Sequence, residues 1–324
     1  MELDRSATHG QFTPFANARS FAPPGDSFLL SAESSEIRAL ADRLWPPGPG
    51  SEVREPRARF RVSVAKAASE CSTVGESWRV DPPHYLVSYG DRLETRIDTD
   101  AATVDAWVGP GLLRTDPYTA SRLLLEAPAA ILLATRAWQP LHAAAIVGTT
   151  GAVVVRGGNG AGKSTLAARA FRDGLQVFGD ESILVHREAP HRIAVAVREL
   201  LIRPDAAQLV RPIGPIREVL SGDERKLRLA MDRSPTPVAR ETPHKATLLL
   251  GDRDRSGGAL LTPIGAEEFV LEFAKGEIPQ ERLAGCDPDR VARAWAAGPT
   301  FRLDGHRDLS GAIGALRGLL ENAI

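Results

Sequence analysis

The chain has 324 residues, 40 basic and 41 acidic, for a net charge of −1, and 43% of it is hydrophobic. That balance gives no electrostatic reason to expect nucleic acid or a membrane as the main partner, and the two cysteines, Cys71 and Cys286, are too few for a disulfide framework or a structural zinc site. No apolar run reaches the length of a membrane span, and Met1-Glu2-Leu3-Asp4 does not open like a signal peptide, so a soluble, cytoplasmic protein of about two domains is expected.

Residues 1–26 mix polar residues with Phe12, Phe15, Phe21 and Pro23-Pro24 without a period, and read as a flexible tail. Residues 32–44 place Ile37, Leu40, Ala41 and Leu44 on one helical face, ended by Pro46-Pro47-Gly48-Pro49-Gly50. Short alternating runs at 60–64, 78–80, 84–88 and 93–97 read as strands, so 27–115 is expected to be a β-rich domain with no catalytic constellation of its own. At Asp116-Pro117 the texture changes. Asp116 suits an N-cap and Pro117 the first helical position. The helix passes Leu123-Leu124-Leu125, is ended or kinked at Pro128, and is followed by a second helix to about Trp138. The second domain is placed over 116–324. Within it, 141–147 and 152–156 read as a hairpin, 175–178 and 182–186 as extended, 193–197, 246–250 and 300–303 as strands, and 266–273 and 309–320 as helices.

The strongest signal is Gly157-Gly158-Asn159-Gly160-Ala161-Gly162-Lys163-Ser164-Thr165, a complete G-x-x-x-x-G-K-[ST] loop between an apolar run and a helical pattern. Glycines let backbone N–H groups approach phosphate oxygens, and the positive end of the following helix points at the same anion. Lys163 would reach the outer phosphates of ATP, and the Ser164 hydroxyl would ligate Mg²⁺. Asp180-Glu181 follows Lys163 by 17 and 18 residues, one helix and one strand later, which brings two carboxylates to the strand end beside the loop. An isolated strand-end pair is usually only solvated; next to a phosphate loop, one carboxylate can hold metal and the other can take a hydroxyl proton. His142 lies 15 residues before Gly157, where a hairpin partner could carry it to the same rim. Arg203, Arg225 and Lys226 are further cations that could touch phosphate or substrate.

His142-Ala143-Ala144-Ala145-Ile146-Val147, the glycine loop, and Gly174-Leu175-Gln176-Val177-Phe178-Gly179-Asp180 resemble, in order and spacing, the His, phosphate-loop and paired-acid elements of the HPr kinase/phosphorylase C-terminal domain. The downstream segments around Leu201-Ile202-Arg203-Pro204-Asp205, Glu224-Arg225-Lys226-Leu227 and Pro243-His244-Lys245 are similar to the HPr-kinase-like serine kinases that modify ribosomally made peptides, including lasso-peptide kinases. The resemblance covers about 116–324. It implies an α/β P-loop kinase domain of the HPr kinase type with a smaller β-rich N-terminal domain, using ATP and Mg²⁺ to phosphorylate a hydroxyl, serine above all, on a peptide or protein. By the same resemblance, Asp180 would be the base, Glu181 a Mg²⁺ ligand, and His142 a support on the acceptor side, with Lys163 on the transferred phosphoryl group. Two positions depart from the family: Glu181 stands where Asp is usual, and Asn159 where Ser is usual. The Asn159 loop also looks like that of an ABC-type ATPase. That reading fails, because Leu309-Ser310-Gly311 lies too near the end for an acidic strand to follow it. A slow nucleotide switch and a small-molecule kinase stay open as alternatives, as does homo-oligomerisation.

Overall fold

The computed structural model describes residues 18–21, 27–45, 56–64, 75–195, 197–210, 216–221, 224–231 and 241–322. The fold is mixed α/β, with three β-sheets among the described residues. The first is built from β1 (Arg19–Phe21), β2 (Phe28–Ala32), β3 (Ala58–Val64), β4 (Glu76–Asp81), β5 (His84–Tyr89), β6 (Leu93–Asp98) and β7 (Thr103–Val108). Its order is β1-β2-β3-β7-β6-β5-β4: β2, β3 and β7 run parallel, and β7 to β4 form an antiparallel meander. Alternation decides its faces. Leu93, Thr95 and Ile97 turn inward while Arg96 stays exposed. Helix α1 (Ser35–Leu44), capped by the Ser34 hydroxyl on the Glu36 N–H at 3.0 Å, buries Ile37, Leu40, Ala41 and Leu44 against this sheet. Most of the expected tail lies outside the described residues, and the part that is described, Arg19–Phe21, pairs with β2 as a strand.

After α2 (Pro110–Thr115), Asp116 caps the next helix on the Thr119 N–H at 3.0 Å. Helix α3 (Pro117–Ser121) runs through a π turn (Arg122–Glu126) into α4 (Ala127–Ala134). Pro128 therefore neither ends nor splits the stretch. Lacking an N–H, it is preceded by a widened turn in which the Ala127 N–H reaches the Arg122 carbonyl. Leu123, Leu124 and Leu125 join the core of the first sheet, and Thr95 Oγ1 donates to the Leu123 carbonyl at 3.0 Å. The helix stops at Ala134, short of the expected Trp138, which opens β8 (Trp138–Leu141) instead.

The expected single strand over 141–147 is broken at His142-Ala143. Strand β8 pairs with β12 (Ile183–His186), whereas β9 (Ala144–Val147) pairs with β10 (Ala152–Arg156) and β11 (Gln176–Gly179). Between β10 and β11 lies α5 (Lys163–Arg172). The sheet is completed by β13 (Arg192–Ala194), then, beyond a separate antiparallel sheet of β14 (Glu199–Ile202), β15 (Ile216–Ser221) and β16 (Glu224–Ala230), by β17 (Glu241–Leu250), β18 (Leu260–Pro263) and β19 (Thr300–Asp304). Strand β17 runs parallel to β10 and β19. The run that reads as one apolar block in the sequence is apolar because both faces are covered. Val153 and Val155 meet α5 and the last helix (Leu309–Glu321), while Ala152 and Val154 meet the helices Ala266–Ala274 and Pro288–Trp295.

Candidate active site

The glycine loop joins the buried end of β10 to α5. Gly160 and Gly162 have φ of +78° and +103°, conformations that a side chain would strain, and Gly162 is the residue from which α5 starts. No side chain caps the first turn of α5, so its N–H groups face the loop. Lys163 is buried, and its Nζ donates to the carbonyls of Gly157 at 2.8 Å and Gly158 at 3.2 Å. Burial pushes its ammonium down to about 8, against the Glu181 charge that favours the charged form. His306 closes the far side of the loop, with Nε2 2.7 Å from the Ala161 carbonyl. Arg203 leans over Gly160 and pairs with Glu224 at 2.9 Å.

Strand β11 ends at Gly179 and delivers Asp180 and Glu181 to different partners. Asp180 is buried, hydrogen-bonds the Ser164 hydroxyl, and accepts the Leu201 N–H at 3.1 Å. Burial, with the Glu181 charge adding to it, pushes its carboxyl up to about 8. Glu181 turns the other way. Its Oε1 pairs with Lys226 Nζ at 2.7 Å, and its Oε2 lies 3.9 Å from His142 Nδ1. His142 sits at the interruption between strands β8 and β9, its Nδ1 also 3.0 Å from the Glu181 carbonyl. Burial first and the Lys163 charge second lower its imidazole below the ordinary value. The sequence-derived residues Lys163, Ser164, Asp180, Glu181, His142 and Lys226 thus meet in one place. Asn159 is exposed on the loop, and Arg225 points away, paired with Glu218.

Beneath the loop lies an ion pair with no counterpart in the sequence reading. The Arg156 guanidinium, fully buried, forks onto both oxygens of Glu281 at 2.8 Å each, donates Nε to the Phe273 carbonyl at 2.9 Å, and lies 4.0 Å over the Phe273 ring. Glu281 Oε1 also accepts the His142 N–H at 2.5 Å, so the pair fixes the backbone that carries the histidine. The only sequence signal was a charged residue at the end of an apolar strand.

A cavity of about 320 Å³ opens beside His142, Asp180 and Glu181. Its walls come from the π turn and α4, from Trp78 of the first sheet, and from Glu199 at the start of β14. No family model matches the chain, and no curated protein matches it in sequence.

Proposed function

We propose that the chain is an ATP- and Mg²⁺-dependent phosphotransferase with a P-loop kinase domain of the HPr kinase type, passing a phosphoryl group to a hydroxyl, for which serine in a peptide or protein is the acceptor the family resemblance implies. The observation that carries this reading is the convergence of Lys163, the Ser164–Asp180 contact and the Glu181–His142 pair between a glycine loop and a cavity. Phosphoryl transfer asks a protein for positioning and charge stabilisation more than for covalent chemistry. In this reading the loop N–H groups and Lys163 hold the phosphates, and the cavity holds the acceptor.

The residues fit a magnesium ion. The Ser164 hydroxyl and the Asp180 carboxyl are hard oxygen donors in contact, and no cationic side chain among the described residues pairs with Asp180. No group of three or more metal-ligating side chains is found among the described residues, which suits an ion held partly by nucleotide phosphates. When bound, the metal neutralises charge on the transferring group. Glu181 faces the cavity beside His142, where it can orient the acceptor hydroxyl and take its proton, while Lys226 fixes its direction. The geometry therefore favours exchanging the two roles that the resemblance implied: Asp180 toward the metal, Glu181 toward the proton.

The test is acceptor-dependent formation of ADP from Mg-ATP with a library of serine peptides, with mass spectrometry for the phosphate gain and Lys163→Ala as control. Transfer by the wild type and its loss in the variant supports the reading. ADP formation indifferent to every acceptor, or equal transfer by both proteins, sinks it.

A further inference from the structure

The cavity is built with an unusual charge count. Five carboxyl side chains line it, those of Glu126, Asp180, Glu181, Glu199 and Glu281, against one arginine, Arg122. Three of the carboxyls are matched from outside: Glu181 by Lys226, Glu199 by Arg228, and Glu281 by Arg156. Asp180 is turned to the Ser164 hydroxyl, and among the described residues Glu126 has no cation within ion-pair distance. The π turn sets both Arg122 and Glu126 on the cavity wall, because a turn of more than four residues brings positions four apart nearly into line. Among the described residues, Glu126 receives only the Ser121 hydroxyl, at 3.1 Å.

The Arg122 charge is already spent. Its two terminal nitrogens both donate to Glu76 of β4, one to Oε1 at 3.3 Å and the other to Oε2, and Trp78 Nε1 holds the same Oε1 at 2.6 Å. The first sheet thus reaches across and cancels the one cation in the cavity. Burial, then the Glu199 charge, pushes Glu126 up to about 8. What these surroundings do to Glu126 they would do to a carboxylate brought in by a ligand, since the one arginine on the described wall already has its terminal nitrogens on Glu76. The side of the wall given by Ala127, Ala130, Ile131, Ala134 and Pro140 is small and apolar, and the volume is at the low end for ligand sites.

We infer that this cavity is the acceptor compartment and that it selects by charge, admitting a compact hydroxyl-bearing group that is neutral or cationic and turning away one with a carboxylate beside the hydroxyl, with the Glu76–Arg122 pair as the specificity element. Calling the occupant an acceptor rests on the kinase reading; the charge selection does not. An internal serine of a peptide satisfies it, and a free amino acid or a C-terminal serine does not.

Three probes separate the cases: N-acetylserinamide, neutral; serinamide, cationic; and N-acetylserine, anionic. Binding to the full chain without nucleotide is read by ligand-observed NMR. The two amides are expected to bind, and N-acetylserine about tenfold or more weakly, the scale of burying a carboxylate with no cation to pair it. Glu76→Gln, which releases the Arg122 charge into the cavity, is expected to bring N-acetylserine to within about threefold of N-acetylserinamide. Ala130→Trp, which fills the cavity, is expected to abolish all three signals, with circular dichroism showing that both variants are folded. N-acetylserine binding as well as the amides, discrimination unchanged in Glu76→Gln, or no probe bound by the wild type each overturns the inference. Charge-selective binding without transfer from Mg-ATP removes the kinase reading alone; transfer to all three probes alike removes the charge selection alone.

Discussion

Replacing Glu281 by Gln strips the counter-charge from a guanidinium that has no other anion among the described residues. Arg156 is 0% and Glu281 1% exposed, and two 2.8 Å hydrogen bonds join them. Breaking a buried pair on one side costs about 3–5 kcal/mol, because the surviving charge stays desolvated. The Phe273 carbonyl and ring remain on Arg156, which places Glu281→Gln near the lower end, about 3 kcal/mol. The reverse change, Arg156→Met, should behave differently. A guanidinium cannot lose its proton, whereas a lone buried carboxyl can take one up. A carboxyl so raised costs stability only as pH climbs above its unfolded value, so the Arg156→Met penalty should shrink from pH 8 to pH 5 while that of Glu281→Gln stays level. Urea unfolding followed by tryptophan fluorescence at the two pH values reads both. A Glu281→Gln penalty under about 1 kcal/mol, or one with the steeper pH dependence, would refute the argument. Since Glu281 also holds the His142 N–H, transfer activity in the folded variant should fall as well.

Four further outcomes are expected. Lys163→Ala should lower transfer by about two to three orders of magnitude with the fold retained, since it deletes a preorganised charge from the phosphate site; unchanged turnover in the purified variant would remove the site. Asp180→Asn should gain stability relative to wild type as pH rises: the carboxyl, at 3.8 ordinarily and about 8 when folded, contributes stability below the lower value that is lost through the upper one. Unfolding midpoints measured without metal or nucleotide at pH 5 and pH 8 check this, and an equal gap at both would contradict it. With Mg²⁺ titrated against transfer, Asp180→Asn should need more metal and recover part of its rate, while Glu181→Gln should lose about 10²–10⁴ in rate that metal does not restore; the opposite pattern would return the two residues to the roles the resemblance implied. A chain beginning at Asp116 should aggregate, because Leu123, Leu124 and Leu125 would each lose roughly 2 kcal/mol of burial against the first sheet, and a soluble monomer by sedimentation would argue otherwise.

What the sequence determined by itself was whatever is written in neighbouring residues. The glycine loop, the apolar run before it and the helix after it occupy consecutive positions, so their chemistry and their order are local facts. The same holds for the Asp116 cap with Pro117, and for the alternation that marks β5 and β6. Tertiary structure decided where the chain breaks and which distant groups meet. The apolar pattern around Trp138 and Leu141 fits helix or strand alike, and pairing with β12 made it a strand and left His142 at a corner. Pro128 signals a helix end by its missing N–H, yet burial of Leu123 to Leu125 against the first sheet kept the helix going through a π turn. Arg156 and Glu281 stand 125 residues apart, and nothing near either names the other; the two carboxyls of Asp180-Glu181 are neighbours that differ because one faces Ser164 and the other His142 with Lys226. Local propensity and motif chemistry act over a few residues, whereas burial and charge pairing depend on which surfaces the whole fold brings into contact.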